Sequence, residues 1–206
     1  MSYGFLDVAI TPAVRATQKQ LGVDGMWESF RGQRDFDRFT EQEALFITDR
    51  DSFYMATTSE TGWPYVQHRG GPQGFLKLVD DQTLAFADYR GNFQYISIGN
   101  LSVNDKVCLF LMDYPRRTRL KIYAHAEAVS LDADPALTAA VLNGARGRVE
   151  RIVRLRLQNF DWNCPQHIVP RYTDVQLEEG LRPIRDRLAA LETENAALRA
   201  QVANPV

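Results

Sequence analysis

Two arginines in this 206-residue chain stand beside glycine at the ends of strand-like segments. They are Arg69 in "HRGG" and Arg90 in "YRGN". A guanidinium presents a rigid fork of donors that matches a phosphate bidentately. The adjacent Gly70 and Gly91 let backbone N–H groups come close to an anion. Asn92 follows in "RGNFQYISIGNL", where the pattern predicts a helix start whose dipole favours phosphate. Two such segments on neighbouring strands could converge on one anion. Two tight turns with exposed arginines are the alternative reading.

A second segment, "FDWNCPQHIVPR", places Trp162 and Arg171 either side of two prolines. Pro165 and Pro170 keep the chain out of helix and interior strand. A planar aromatic beside a cation suits a large ring ligand; a rigid connector is the alternative. His68, His125 and His167 are dispersed, and His125 lies in a strand pattern that suits a structural role. Cys164 and His167 are spaced like half a metal site, but no second half is evident, so no metal is expected. Cys108, within "VCLFL", reads as a small buried hydrophobe. "PRRTRLK" reads as a solvated hairpin or a contact for a phosphorylated substrate. The five arginines between 146 and 156 would alternate over both faces of a strand, which argues against a nucleic-acid stripe. They could rim a phosphate site or a dimer interface.

Other chemistries have no signature here. G-x-x-x-x-G-K-[ST], G-x-S-x-G and H-E-x-x-H do not occur. Gly70, Gly71 and Gly74 do not form the dinucleotide fingerprint. A formal net charge of −2 gives no hint of nucleic-acid or membrane partners. No apolar run approaches the roughly 20 residues that span a bilayer. The N-terminal stretch lacks a basic region followed by an apolar run, so a cytoplasmic location is the default.

The elements that must position these residues are short strands. Residues 1–39 read as an irregular extension with one helix from Thr11, Pro12 in its first turn and Gly22 beyond it. Thr40 and Glu43 form a capping-box pattern that opens a short helix. "SFYMATTS" and "PYVQHR" flank the turn "ETGW", and "GFLKLV" pairs with "TLAFAD" through "DDQ". "KVCLFLMD" and "RLKIYAHAEAV" follow, joined through "YPRRT". Asp134 and Pro135 open a helix, and "VERIVRLRLQNF" is the last strand. Six or seven short strands with few long helices predict an antiparallel barrel over 40–172.

Residues 173–206 differ. Leu177, Leu181, Ile184, Leu188, Leu191, Asn195, Leu198 and Val202 recur at alternating steps of four and three, a heptad seam with Asn195 at an a position. The seam, the buried Asn195, and attractive pairs of Arg187 with the partner's Glu192 and of Glu194 with the partner's Arg199 together predict a parallel two-stranded coil. Pro183 fits best in a first turn, which leaves only about three heptads beyond it. A helix packed on its own domain is the alternative.

Together, "HRGGPQGFLK", "DYRGN" and "NCPQHIVPR" resemble the pyridoxamine 5'-phosphate oxidase-like family, and most of all its bacterial flavin-nucleotide-binding branch. The resemblance covers about residues 40–172. It implies a mainly β, antiparallel split β-barrel that binds flavin mononucleotide (FMN) in two clefts shared by a homodimer. By that resemblance Arg69 reaches the FMN phosphate, and Gln67 and His68 line the flavin. "DYRGN" takes the place of the family's serine–arginine–lysine phosphate loop, which makes Arg90 and Asn92 phosphate ligands although the lysine is missing. Trp162 and Arg171 resemble residues that reach the flavin from the partner subunit, with a spacing that differs by about one residue. The oxidase's substrate-binding arginine is absent from "NCPQHIVP", and His167 is left as the only candidate acid or base there. The expected activity is therefore an FMN-dependent oxidoreductase on a small substrate, with NAD(P)H as a candidate donor. A non-catalytic flavin carrier or sensor, the oxidase proper, and a heme- or deazaflavin-using relative are the alternatives.

Overall fold

The computed structural model describes residues 4–26, 37–145, 147–162 and 165–203. Helices α1 (Phe5–Ala9) and α2 (Pro12–Gln20) open the chain. The Thr11 hydroxyl accepts from Val14 N at 3.4 Å, and Pro12 sits in the first turn, so α2 starts where its cap and proline predict. Helix α3 (Glu41–Thr48) begins at the predicted capping box, with Thr40 N donating to Glu43 Oε2 at 2.9 Å.

Seven antiparallel strands follow: β1 (Ser52–Thr58), β2 (Pro64–Gly70), β3 (Lys77–Asp80), β4 (Thr83–Tyr89), β5 (Lys106–Asp113), β6 (Thr118–Val129) and β7 (Val149–Trp162). They form one sheet in the order β2-β1-β5-β6-β7-β4-β3. Helix α4 (Ile96–Leu101) lies between β4 and β5, α5 (Pro135–Leu142) between β6 and β7, and α6 (Asp174–Ala203) follows β7. Asp134 caps α5 by accepting from Leu137 N at 3.0 Å. Among the described residues no helix is long and apolar enough to cross a membrane.

The sheet curls until its two ends meet, and side chains rather than a backbone ladder join them. Strand alternation decides which side chains are available. On β1, Phe53, Met55 and Thr57 point to the buried face. The register pairs these with Arg69, Gln67 and Tyr65 of β2, so all six share that face. On β4 the buried face carries Leu84, Phe86 and Asp88, while Ala85 and Ala87 face α5 and pack with Leu137 and Val141. Phe53 of β1 meets Phe86 of β4 edge-on at 5.3 Å and stacks on Phe75 at 5.5 Å. The sequence-predicted split barrel is the fold observed.

The glycine pair after β2 has a packing role. A Cβ on Gly71 would stand 2.7 Å from Cβ and Cγ of Phe75, the ring that stacks on Phe53. Gly71 N donates to Asp51 O at 2.9 Å, and Gly74, at φ +74, donates to Arg50 O at 3.0 Å. The break in "HRGGPQGF" thus folds Phe75 back over the core.

The tail corrects one expectation. α6 is a continuous 30-residue helix with Pro183 inside it as the tenth residue. A proline removes one N–H and leaves the carbonyl four residues earlier, Glu179, without its helical donor. Because α6 is exposed along its length, water can satisfy that carbonyl.

Candidate functional site

The closure of the sheet assembles a pocket at one end of the split. The inward parity of β2 delivers Tyr65, Gln67 and Arg69 to it. The end of β4 delivers Asp88, and the β4–α4 connection delivers Gly91 and Asn92. Helix α4 plugs the gap behind them. Ser97 donates to Gln67 Oε1 at 3.0 Å, and Asn100 Nδ2 donates to Thr57 Oγ1 at 2.9 Å. These two bonds pin α4 to β2 and β1.

Arg69 is the centre of this pocket. Its Nη1 donates to Asp88 Oδ1 at 2.8 Å, across the split between β2 and β4. The guanidinium also lies 5.6 Å from the ring centre of Phe86. Both charges are largely buried, with 14% of the Arg69 side chain and 7% of Asp88 exposed. Arg151 Nε of β7 approaches the second Asp88 oxygen at 3.6 Å. Arg151 also pairs with Glu150 at 3.0 Å and stacks over Tyr95 at 5.1 Å. Arg90 Nε lies 3.7 Å from Glu150 and its guanidinium 4.8 Å from the Phe93 ring. The Tyr95 hydroxyl donates to Glu150 at 2.9 Å, and that bond raises its pKa above the ordinary phenol value.

Three guanidiniums thus share two carboxylates, leaving one net positive charge around the pocket. One donor is also left over. Among the described residues, the Nε of Arg69 is buried and has no hydrogen-bond acceptor. An orphaned buried donor costs about 1–3 kcal/mol. An anionic oxygen entering the pocket would satisfy it. A phosphate-bearing ligand therefore fits the residues present.

The predicted site residues do not all come together. Gln67, Arg69, Gly91 and Asn92 line one pocket, and Arg90 flanks it through Phe93. Asn92 does not start a helix: α4 begins at Ile96, after Phe93 and Tyr95 take left-handed backbone at φ 63 and 49. Instead Asn92 folds on itself, its Oδ1 accepting from Gln94 N at 3.1 Å. Gly70 ends β2 next to the pocket without lining it. His68, one residue out of phase with Arg69, points to the opposite face and meets Tyr54 edge-on at 5.5 Å.

Trp162 lies at the end of β7 against α3. Its indole N–H donates to Glu43 Oε1 at 2.8 Å, and its ring meets Phe46 edge-on at 4.8 Å. Arg171 stacks over Tyr114 at 4.8 Å, near the start of α6. Neither lines the Arg69 pocket of its own chain. His167 is exposed in a short 3-10 turn. Cys164 and Arg146 lie outside the described residues, as does the half-site that would pair Cys164 with His167. His125 Nδ1 lies 2.8 Å from Asp105 Oδ2. Burial pushes the Cys108 thiol above its ordinary range. In "PRRTRLK", Arg116 pairs with Asp113 at 3.2 Å and Arg119 with Asp161 at 3.3 Å.

Glu43 holds both the α3 cap and the Trp162 indole. Glu43→Ala is expected to cost about 2–3 kcal/mol, from the cap and an orphaned indole donor. Glu43→Gln should recover only part of this, because its one amide oxygen can replace only one of the two carboxylate oxygens, and its NH2 group would face the other donor. Equilibrium urea unfolding of the two variants checks this.

Sequence reading missed Asp88, Tyr95, Ser97 and the specific role of Arg151. Asp88 carried a signal: a carboxylate at the inward phase of "TLAFAD", a strand otherwise apolar on that face. Its partner lies 19 residues away and could be named only once the sheet had closed.

A family model described as pyridoxamine 5'-phosphate oxidase matches residues 39–152, more than half of the chain. No curated protein gives a significant match. Among solved structures, a point variant of HupZ from Group A Streptococcus is 17% identical, with a TM-score of 0.50 over 60% of this chain and 98% of that one. A putative pyridoxamine 5'-phosphate oxidase from Lactobacillus delbrueckii is 22% identical, with a TM-score of 0.47 over 61% and 94% of the two chains. HutZ of Vibrio cholerae, described as a heme storage protein, is 15% identical, with a TM-score of 0.41 over 60% and 94%. At 17% identity the likeness to HupZ speaks to the fold alone. The matched region carries every strand residue of the pocket, from Gln67 and Arg69 through Asp88 to Arg151; the chain belongs to the pyridoxamine 5'-phosphate oxidase family.

Proposed function

We propose that this protein binds FMN with its phosphate at the Arg69 pocket, and acts as an FMN-dependent oxidoreductase on a small substrate. The observation that carries the reading is the buried Arg69 Nε without an acceptor, in a pocket with net positive charge. Arg69 would anchor the phosphate, with Asn92 and the Gly91 backbone beside it and Arg90 at the rim. Gln67, fixed by Ser97, would face the flavin or its chain. Bound flavin supplies the redox chemistry; these side chains supply anchoring, orientation and access. Trp162 and Arg171 stand apart from the pocket of their own chain, which supports sites completed by the partner in a homodimer.

A second reading, a flavin carrier without turnover, is favoured by the lining itself. Among its described residues the pocket holds no histidine, cysteine or lysine, and its one carboxylate is committed to Arg69 and Arg151.

The protein as purified is expected to show flavin absorption, and added FMN should raise the melting temperature of protein stripped of it. By linkage, ligand at about 100 times its Kd stabilises by about 2.7 kcal/mol. Riboflavin, which lacks the phosphate, should shift it far less. A colourless protein whose melting temperature ignores FMN overturns the proposal. Anaerobic titration with NADH or NADPH separates the two readings: a bound flavin that neither donor reduces favours the carrier.

A further inference from the structure

We infer that α6 is one half of a parallel, two-stranded coiled coil formed with a second copy of this chain. The inference stands apart from the flavin reading, because it uses none of the pocket residues.

None of the 30 residues of α6 is buried. Its seam of Leu177, Leu181, Ile184, Leu188, Leu191, Leu198 and Val202 is between 42% and 80% exposed. Seven large apolar side chains in one line on a free helix are unstable in water without a cover. The chain's own sheet does not provide it. A membrane surface suits it poorly: α6 carries six acidic residues against four arginines, and no aromatic residue. The steps of four and three instead match the spacing at which two helices supercoil. Three of the four d positions, Leu177, Leu191 and Leu198, are leucine, which suits a two-stranded coil.

Charge alone does not choose the orientation. In a parallel pair, Arg187 faces the partner's Glu192, and Glu194 faces the partner's Arg199. In the antiparallel register of greatest overlap, Arg185 faces the partner's Glu192, Arg187 the partner's Glu194, and Glu178 the partner's Arg199. All of these attract. Asn195 breaks the tie. In the parallel pair its amide meets the partner's Asn195, and each satisfies the other. In the antiparallel pair it is buried against the partner's Ile184 with no polar partner, a cost that selects the parallel form.

Pro183 is consistent with this. It falls at a c position, next to Ile184 of the seam but directed away from the partner. Its missing N–H therefore frees a carbonyl on the solvent side. A parallel coil has its two-fold along its axis and brings both copies of Thr173 to one end. The two barrels must then lie side by side. Tethering raises the effective concentration of any barrel–barrel contact to the millimolar range.

Disulfide trapping in the full-length chain tests the orientation. Under mild oxidation, Asn195→Cys is expected to give at least about ten times more covalent dimer than the parent, whose Cys108 and Cys164 set the baseline. Leu188→Cys, at another a position, should behave alike and guards against a local defect at 195. In the antiparallel register Leu181 lies opposite the partner's Leu198. Crosslinking confined to mixtures of Leu181→Cys with Leu198→Cys would overturn the parallel assignment. No excess crosslinking in any variant would overturn the coil.

Discussion

Arg69→Ala is expected to abolish saturable FMN binding at micromolar concentrations and to destabilise the protein as well. On the proposed reading, the binding loss would come from removing charge-assisted hydrogen bonds to the phosphate. Two such bonds at about 1.5 kcal/mol each amount to a factor of roughly 100 in Kd. The stability loss has a different origin. Asp88 is only 7% exposed and would keep a single cation, Arg151, at 3.6 Å. Removing one partner of a buried pair costs about 3–5 kcal/mol, and the remaining arginine holds the expected value near 3. The double variant Arg69→Ala/Asp88→Ala separates the two effects. It removes the stranded charge and should regain most of the stability, while FMN binding stays lost. Urea unfolding with and without FMN reads both. A single variant that binds FMN like the parent would exclude Arg69 as the anchor.

Phe53→Ala is expected to cost about 3–5 kcal/mol, the range for deleting a buried aromatic side chain. Phe53 is 1% exposed and touches two rings that belong to different parts of the closure. It stacks on Phe75 from the folded-back loop and meets Phe86 of β4 edge-on. Neither neighbour can fill the hole: Gly71 fixes Phe75 from behind, and Phe86 lies beneath Arg69. Against a typical domain stability of about 5–15 kcal/mol the loss is large. Phe53→Leu keeps part of the volume and should cost clearly less. Denaturant midpoints of the two variants check the order. A Phe53→Ala midpoint within about 0.5 kcal/mol of the parent would mean that this cluster does not hold the split together.

Local signals made much of this fold legible. Thr11 before Pro12, Thr40 with Glu43, and Asp134 before Pro135 each marked a helix start that the structure has, because a cap acts within one turn. The alternation in "SFYMATTS" and "PYVQHR" placed β1 and β2, and the same alternation separates Arg69 from His68. Other features depend on distance. Phe93 and Tyr95 take left-handed backbone without being glycine or asparagine, so nothing in "RGNFQYISIGNL" announced that α4 waits until Ile96. The crowding at Gly71 comes from Phe75, whose return over the core is a tertiary event. Pro183 looked like a boundary because propensity treats a proline as a stop, yet the helix continues through it. Arg69 was legible as a candidate anion ligand, but its bond to Asp88 was not.

The order of the sheet leaves β2 and β3 as free edges, and only side chains span the gap between β2 and β4. A cylinder closed by a backbone ladder has a fixed girth, since widening it means breaking a row of hydrogen bonds. This one is fastened by a clasp: one guanidinium–carboxylate pair over a group of aromatic rings. Its girth can change while every strand pairing survives. A ligand that engages Arg69 does not enter a finished container; it becomes part of the fastening.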